Sequence, residues 1–453
     1  MFAIFFLASI LRIVLMLVNR QANDNHIEVV QRMLAGLPAE KDQCWECFQP
    51  KFYHGTVAFF AHLFALDSTT SIILLGEAVN VIAGIASLAL IWKFLNSLSV
   101  RPKVKLFCFG LIALNPIFIG INAQATNDSF IIFLGIFTLF LLFRFFSQST
   151  LFTTIILILS VNLSLLTKGN GLVIVLSVMV FLLFQILGAK AKTKSIKPYL
   201  YTLIAVCVTI AISTVWLSPY YTYYQKYHNP FVINWQKPPP PHLLRPTYSA
   251  LYRPGIITVA DGFFTFRFIN LLMHPYTTHE LTTFSLQRTS FWSQLYGNSQ
   301  SVFFPQTPPS WENLSLSVIT RLRLILILAL LPTLFLLTGF YIMCVKIVKN
   351  FLRYKWQAFF NNFDLILVTY FIFFLLMLID YVYTWRDFAE MKAIFIYPAF
   401  LSIAALLAKG MEFYFIKIKQ PFIKKTGFIL LILLLGFYFW DVMTLISQLH
   451  MSE

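Results

Sequence analysis

This chain is short of charge. Asp, Glu, Lys and Arg make up 11% of its 453 residues, where a soluble domain carries about 25%. With 58% hydrophobic residues, the shortage excludes a soluble protein. Alternating polar and apolar positions are missing too, which excludes a transmembrane barrel. Instead the apolar runs are continuous, and a membrane-crossing helix needs roughly 20 such residues. The fold class that follows is an all-α polytopic membrane protein. Other absences narrow the class further. There is no tandem repeat and no separate soluble domain. No basic stretch precedes the apolar run 2–18, and no small-x-small site follows it, so that run is expected to be a retained first helix. The GxxxxGK spacing of a nucleotide loop is absent. Cys44 and Cys47 form a CxxC with no second pair to complete a zinc site, which leaves a local disulfide or a redox pair. Cys108, Cys207 and Cys344 lie in apolar runs and read as small buried residues.

Acid is scarcer than base: 18 Asp and Glu against 34 Lys and Arg, a net charge of +16. In a soluble protein this balance would suggest nucleic acid as a partner. Here the cations fall into alternate loops, so no nucleic acid is expected, and the positive-inside rule accounts for them. One set of short loops holds Lys93 to Lys105, Lys190 to Lys197, Lys346 to Lys355 and Lys409 to Lys425, with Glu412 the one acid. The opposite set holds nearly all other acids. Candidate spans are 2–18, 71–92, 106–121, 128–146, 151–166, 171–188, 199–218, 324–345, 364–383, 393–408 and 427–449, about eleven transmembrane helices. The N terminus is then cytoplasmic and the C terminus outside. The Lys-, Ile- and Phe-rich composition is compatible with a bacterial inner membrane.

Three parts result: a transmembrane module over 1–218 with its first outer loop at 19–70, an outer cap segment over 219–320, and C-terminal helices over 321–453. The loop 19–70 can form interfacial amphipathic helices, 54–66 among them. The cap opens on Tyr220, Tyr221, Tyr223 and Tyr224, an interfacial aromatic belt. It continues through Pro238–Pro241, a polyproline II segment, and is re-entrant around 256–273.

The outer loops carry the groups that suggest chemistry. Asp24 and His26 follow the first helix, with Glu28 one turn beyond Asp24. A carboxylate at a membrane boundary keeps a usable basicity and can deprotonate an acceptor hydroxyl or amine during attack on an anomeric carbon. Asp24 could equally cap an interfacial helix. Asn127-Asp128 occupies the second outer turn, where Asp128 could also cap a helix starting at Ser129. The third outer turn reads Leu166-Thr167-Lys168-Gly169-Asn170-Gly171. A lysine between two apolar helices is costly unless it meets an anion, such as a lipid phosphate, or snorkels to the surface. Arg386 and Lys392, near Tyr397-Pro398, could hold a phosphate, or Arg386 could pair locally with Asp387. Inside the spans lie Arg12, Glu77, Asp380 and Asp441, with Arg12 expected to pair with one of the acids.

Asp24 outside the first helix, Asn127-Asp128 in the second outer turn and Leu166-Thr167-Lys168-Gly169 in the third together resemble the GT-C type glycosyltransferases. Protein O-mannosyltransferases and the aminoarabinose transferases of lipid A are the groups most similar. The resemblance implies a sugar moved from a polyprenyl-phosphate donor to a glycan, lipid or protein acceptor, with inversion at the anomeric carbon. It implies Asp24 as the acidic catalytic residue, with His26 beside it and Asp128 and Lys168 shaping the site around the phosphate. The family's Asp-Glu is here Asp24-Asn25. Its Lys-Pro-Pro-Leu step is here Gln49-Pro50-Lys51-Phe52, which moves the phosphate-binding role to Lys51 or His54, with Glu46 nearby. Arg288, Arg386 and Lys392 join Lys168 as groups to neutralise the departing phosphate. No cofactor is identified for certain, and Asp24, His26 and Asp128 could ligate a divalent cation. Two other classes are a transporter or flippase of lipid-linked sugars, which predicts charges deep in several spans and inverted repeats, and a scaffold, which needs neither the Lys168 nor the Asp128 turn.

Overall fold

The computed structural model describes residues 1–19, 25–41, 43–230, 259–273, 275, 290–300, 316–385 and 393–451. Every regular element among them is helical. The chain opens with α1 (Phe2–Val18), α2 (His26–Leu34), α3 (Phe52–Leu63) and α4 (Thr69–Ser97). The bent pair α5 (Pro102–Ala113) and α6 (Pro116–Asn122) follows, then α7 (Asn127–Ser147), α8 (Leu151–Thr167), α9 (Gly171–Ala191) and α10 (Lys197–Ile212), whose last turns widen into a π-helix. Four short helices come next: α11 (Tyr220–Tyr227), α12 (Val259–Phe264), α13 (Phe268–Met273) and α14 (Phe291–Asn298). The chain finishes with α15 (Leu316–Leu328), α16 (Leu330–Tyr354), α17 (Phe363–Trp385), α18 (Phe400–Lys417) and α19 (Pro421–Met451).

Among the described residues 8 helices are long and apolar enough to cross a membrane, or 9 with the bent pair taken as one span. Helices α1 and α8 are apolar but only 17 residues long. The protein is an all-α, multi-pass membrane protein.

The expected span 106–121 is broken by 50° between α5 and α6. Pro116 has no N–H to continue the helix, and the Asn115 side chain caps the new start by accepting from the Phe118 N–H at 3.0 Å. The expected span 393–408 opens instead as a 3-10 turn, Ala393–Ala399, which contains Pro398 and runs on into α18. α18 is almost wholly enclosed, while α10 leaves most of its surface open to lipid. Two glycines let α16 and α18 touch. A Cβ at Gly339 would stand 1.8 Å from the Leu406 carbonyl oxygen, and one at Gly410 would stand 1.8 Å from that of Phe335. Small residues at such a crossing let the backbones close.

The described residues of the loop 19–70 include α2 and α3. Tyr53, His54, Val57 and Ala61 of α3 pack inward, and Phe59, Leu63 and Phe64 are exposed on the other side. A helix is expected near 54–66, and α3 is one, with a buried side and an exposed side. Cys44 and Cys47 form a disulfide in the turn before it.

Buried charges find partners other than the expected ones. Among the described residues Arg12 pairs with no acid. Its Nε donates to Asn122 Oδ1 at 2.8 Å, its Nη1 donates to the carbonyls of Ala8 and Ala113, and its guanidinium lies 4.9 Å from the Phe118 ring centre. Uncharged acceptors and an aromatic face hold this cation because the bend at Pro116 turns Asn122 and Ala113 toward α1. Asp441 pairs with Arg321 at 3.3 Å.

Candidate functional site

The site is built where α7 begins and α8 ends. Helix α7 starts because Thr126, in an extended conformation, caps it: the Thr126 hydroxyl accepts from the Asp128 N–H at 3.4 Å. The cap is therefore Thr126 and not Asp128, whose carboxylate is left to act elsewhere. Helix α8 stops at Thr167, and Lys168 leaves it in an extended conformation. The chain then reverses tightly, with the Gly171 N–H donating to the Lys168 carbonyl at 2.8 Å as α9 begins. These two helix ends aim Lys168 at Asp128. The Lys168 ammonium donates to Asp128 Oδ1 at 2.6 Å, with the side chains only 13% and 8% exposed. The Phe395 ring centre is 5.5 Å from Lys168 Nζ, which ties the Tyr397-Pro398 region to this point.

The turn before α3 roofs the pair. Asn127 Nδ2 donates to Gln49 Oε1 and, at 3.3 Å, to the Thr167 carbonyl. Gln49 Nε2 in turn donates to Glu46 Oε2. Lys51 Nζ donates to the Cys47 carbonyl at 2.7 Å, and the Tyr223 hydroxyl donates to the same oxygen at 3.4 Å. The disulfide turn thus holds Glu46, Gln49 and Lys51 over the ends of α7 and α8. Burial lowers the Lys51 pKa from its ordinary 10.5 to about 8, against the pull of Glu46.

Deeper in the loop, His26 Nδ1 and His54 Nε2 share a hydrogen bond of 2.9 Å, and their rings stack with centres 5.2 Å apart. His54 is fully buried, and its pKa is pushed well below the ordinary 6.5. Burial is the main cause, helped by His26, Lys51 and Lys168 and opposed by the Pro50 carbonyl. His54 is accordingly a neutral imidazole. Burial, with Glu77 nearby, also raises the Tyr53 pKa.

The first half of α4 forms the floor. Asn80 Nδ2 donates to the carbonyls of Gln124 and Thr126, each at 2.6 Å, and to the Tyr53 hydroxyl at 3.3 Å. Tyr53 passes its own proton to the Gly76 carbonyl at 3.2 Å. Glu77 accepts from Asn19 Nδ2 at 2.6 Å, and the same amide donates to the Ala123 carbonyl at 2.7 Å. Glu77 and Asn80, three residues apart on one helix face, therefore hold the C-terminal end of α1 and the turn that leads into α7.

The structure thus brings together Glu46, Lys51, His54, His26, Asp128 and Lys168. Asp24, Arg288, Arg386 and Lys392 lie outside the described residues. Asn80 and Tyr53 belong to no motif, and Gln49 stands first in the Gln49-Pro50-Lys51-Phe52 step. The available signal was Asn80, an amide one turn beyond Glu77 in an otherwise apolar run. Among the described residues no group of three or more His, Cys, Asp or Glu could hold a metal ion. Of the set Asp24, His26 and Asp128, His26 faces His54 and Asp128 faces Lys168.

Part of this chain, and its fold, are similar to known proteins. Residues 76–225 match the family of dolichyl-phosphate-mannose-protein mannosyltransferases, a span that contains Glu77, Asn80, Asp128, Lys168 and Tyr223. The oligosaccharyltransferase AglB of Archaeoglobus fulgidus, solved with an inhibitory peptide and a dolichol-phosphate, aligns with 99% of this chain and 56% of its own at 12% identity and a TM-score of 0.50. The apo form of the oligosaccharyltransferase of the same organism aligns over the same shares, at 12% identity and a TM-score of 0.51. The chain carries the GT-C fold. At this identity the likeness is one of fold, and the chain spans about half the length of those structures. A comparison with curated proteins gave no match. In the GT-C fold of this chain, the matched span begins at the α4 floor and ends in α11, so it encloses the Asp128–Lys168 pair.

Proposed function

We propose that the protein transfers a sugar from a polyprenyl-phosphate donor to an acceptor at the outer face of the membrane. The observation that carries this reading is the Lys168–Asp128 pair, an ammonium held at the junction of two helix ends inside the matched span. A lysine ammonium has three N–H groups. With one committed to Asp128, the others are free to meet a phosphate oxygen.

In this reading α1 and α8 cross the membrane with the nine longer spans, which gives eleven crossings and places the N terminus in the cytoplasm and the C terminus outside. The polyprenyl tail lies between helices and its phosphate rests at Lys168. Asp24 takes the proton of the acceptor hydroxyl or amine as that group attacks the anomeric carbon from the face opposite the phosphate. The anomeric C–O bond breaks, and its electron pair leaves on the phosphate oxygen. Lys168, with Arg288, Arg386 or Lys392, neutralises that charge, an electrostatic contribution of about 3–4 kcal/mol where one well-placed donor is concerned. Of the loop pair Lys51 and His54, Lys51 supplies positive charge, because burial keeps His54 neutral. Asp128 orients Lys168. His26 holds His54 in place, Glu46 holds Gln49, and the acceptor enters beneath the 219–320 segment.

The test is transfer of radiolabelled sugar from polyprenyl-phosphate donors to membrane acceptors by purified protein. Wild type should transfer, Asp24→Asn should not, and Lys168→Ala should be slower by about 10²-fold or more. Undiminished transfer by Asp24→Asn would remove Asp24 as the base. Flipping of the lipid-linked sugar without transfer would replace this reading with a transporter.

A further inference from the structure

At the end of the bundle opposite Lys168, a cleft of about 540 Å³ opens between the ends of α9, α16 and α17. Ligand pockets run from roughly 300 to 1,000 Å³. The cleft is preformed. The segment after α16 is a 3-10 turn, Lys355–Phe359, strapped onto α9 from both sides. Gln185 Nε2 donates to the Phe359 carbonyl at 3.2 Å, and Gln185 Oε1 accepts from the Asn361 N–H at 3.0 Å. Gln357 Nε2 closes the strap by donating to the Ala191 carbonyl at 3.1 Å.

The lining suits an anion. Lys192 stands over the Phe360 ring, 5.4 Å from its centre. Lys346, the amides of Asn350 and Asn361 and the Tyr354 hydroxyl also face the cleft. The one carboxylate in the lining, Asp364, is taken up by Lys346 at 2.6 Å. Lys190, Lys194, Lys349, Arg353 and Lys355 stand in the flanking sequence. The lining also holds Ala358, Phe360 and Phe363, and Tyr354 of the lining and Trp356, two residues on, are exposed. Aromatic side chains of this kind gather where lipid tails give way to head groups. A soluble anion would have no use for such an apolar flank, whereas a phospholipid uses both parts: its phosphate meets the cations and amides, and its tails lie along α16. We propose that this cleft is a head-group site for an anionic phospholipid of the adjoining leaflet. Basic pockets between helices on the cation-rich side of a membrane protein are known to take such head groups.

The full chain, reconstituted in nanodiscs of phosphatidylcholine doped with phosphatidylglycerol and then released into mild detergent, tests this by native mass spectrometry of the retained lipid. Wild type should retain phosphatidylglycerol in preference to phosphatidylcholine. In the double variant Lys192→Ala, Asn350→Ala that preference should fall about fivefold or more. Lys194→Ala removes the same charge from the same surface without touching the cleft, and it should leave the preference near wild type. Equal loss in Lys194→Ala and the double variant would overturn the proposal in favour of diffuse surface charge. Displacement of phosphatidylglycerol from wild type by millimolar inorganic phosphate would overturn it in favour of a free-phosphate site.

Discussion

Lys168 and Asp128 lie 40 positions apart in sequence and meet at 2.6 Å, the one leaving α8 and the other entering α7. Each helix end has its own reason to stop where it does, so the pair is held from two independent sides. In the proposed reaction the carboxylate keeps the ammonium pointed while its remaining N–H groups meet phosphate.

The two side chains should then behave as one unit. Removing a preorganised donor from a developing negative charge costs about 10²-fold or more in rate, and Lys168→Ala should show that loss in kcat/KM for the donor. Asp128→Asn, which keeps a polar group beside an intact lysine, should cost about 10-fold. The double variant should be no worse than Lys168→Ala alone, since residues that act through one another are non-additive. Strictly additive losses in the steady-state rates would show that Asp128 acts on its own account.

The turn that carries Lys168 contains two glycines with different constraints. A Cβ at Gly171 would stand 2.0 Å from the Ser164 carbonyl oxygen and 2.7 Å from the Leu165 nitrogen, both backbone atoms of α8 that cannot step aside. A Cβ at Gly169 would meet nothing within 4 Å. Gly171→Ala should therefore destabilise the protein by about 1–3 kcal/mol or more, and Gly169→Ala should fall within about 0.5 kcal/mol of wild type. Thermal unfolding in detergent, followed by intrinsic fluorescence, separates the two. Equal midpoints for both variants would refute the close approach of α8 and α9.

Much of this architecture was legible in the sequence because lipid imposes a simple rule. A helix that crosses it must stay apolar for its whole length, and the cations collect at one end. The turns at Asn127-Asp128 and Lys168 stood out for the same reason, as polar residues between apolar runs. The bend at Pro116 was hidden because a hydropathy window averages across it. The ion pair itself was hidden because nothing local links position 128 to position 168. Asn80 was hidden because its role is set by two carbonyls, Gln124 and Thr126, that turn toward it only once α6 has broken away from α5. Arg12 was misassigned to an acid because the sequence shows formal charges and not the amide and carbonyl dipoles that surround this cation.

Asn80 provides the test of the α4 floor. Asn80→Ala withdraws a donor from two backbone carbonyls and leaves them buried without it. Each such loss costs about 1–3 kcal/mol, so the unfolding midpoint should drop clearly. Because the turn 123–126 sets the start of α7, the donor kcat should fall more than KM changes. A variant with wild-type stability and wild-type kcat would show that the α7 start is held by its Thr126 cap alone.

Lys51 gives the expected pH dependence, and its two consequences have opposite signs. Its pKa in the folded protein is about 8, lowered by burial from 10.5. Below about 8 the ammonium is charged and assists the anionic donor, so donor KM should rise as pH passes upward through this value. Folding responds the other way. Between about 8 and 10.5 the unfolded chain holds a proton that the folded chain has released, and stability rises with pH wherever the unfolded state binds more protons. Wild type should thus gain stability across that window while its donor affinity falls. Lys51→Arg keeps its charge throughout and should carry a flat KM to high pH, and Lys51→Ala should show a raised KM without the break. A break near pH 8 that survives in Lys51→Ala would assign it to another group, and a loss of wild-type stability between pH 8 and 10 would contradict the burial of this ammonium.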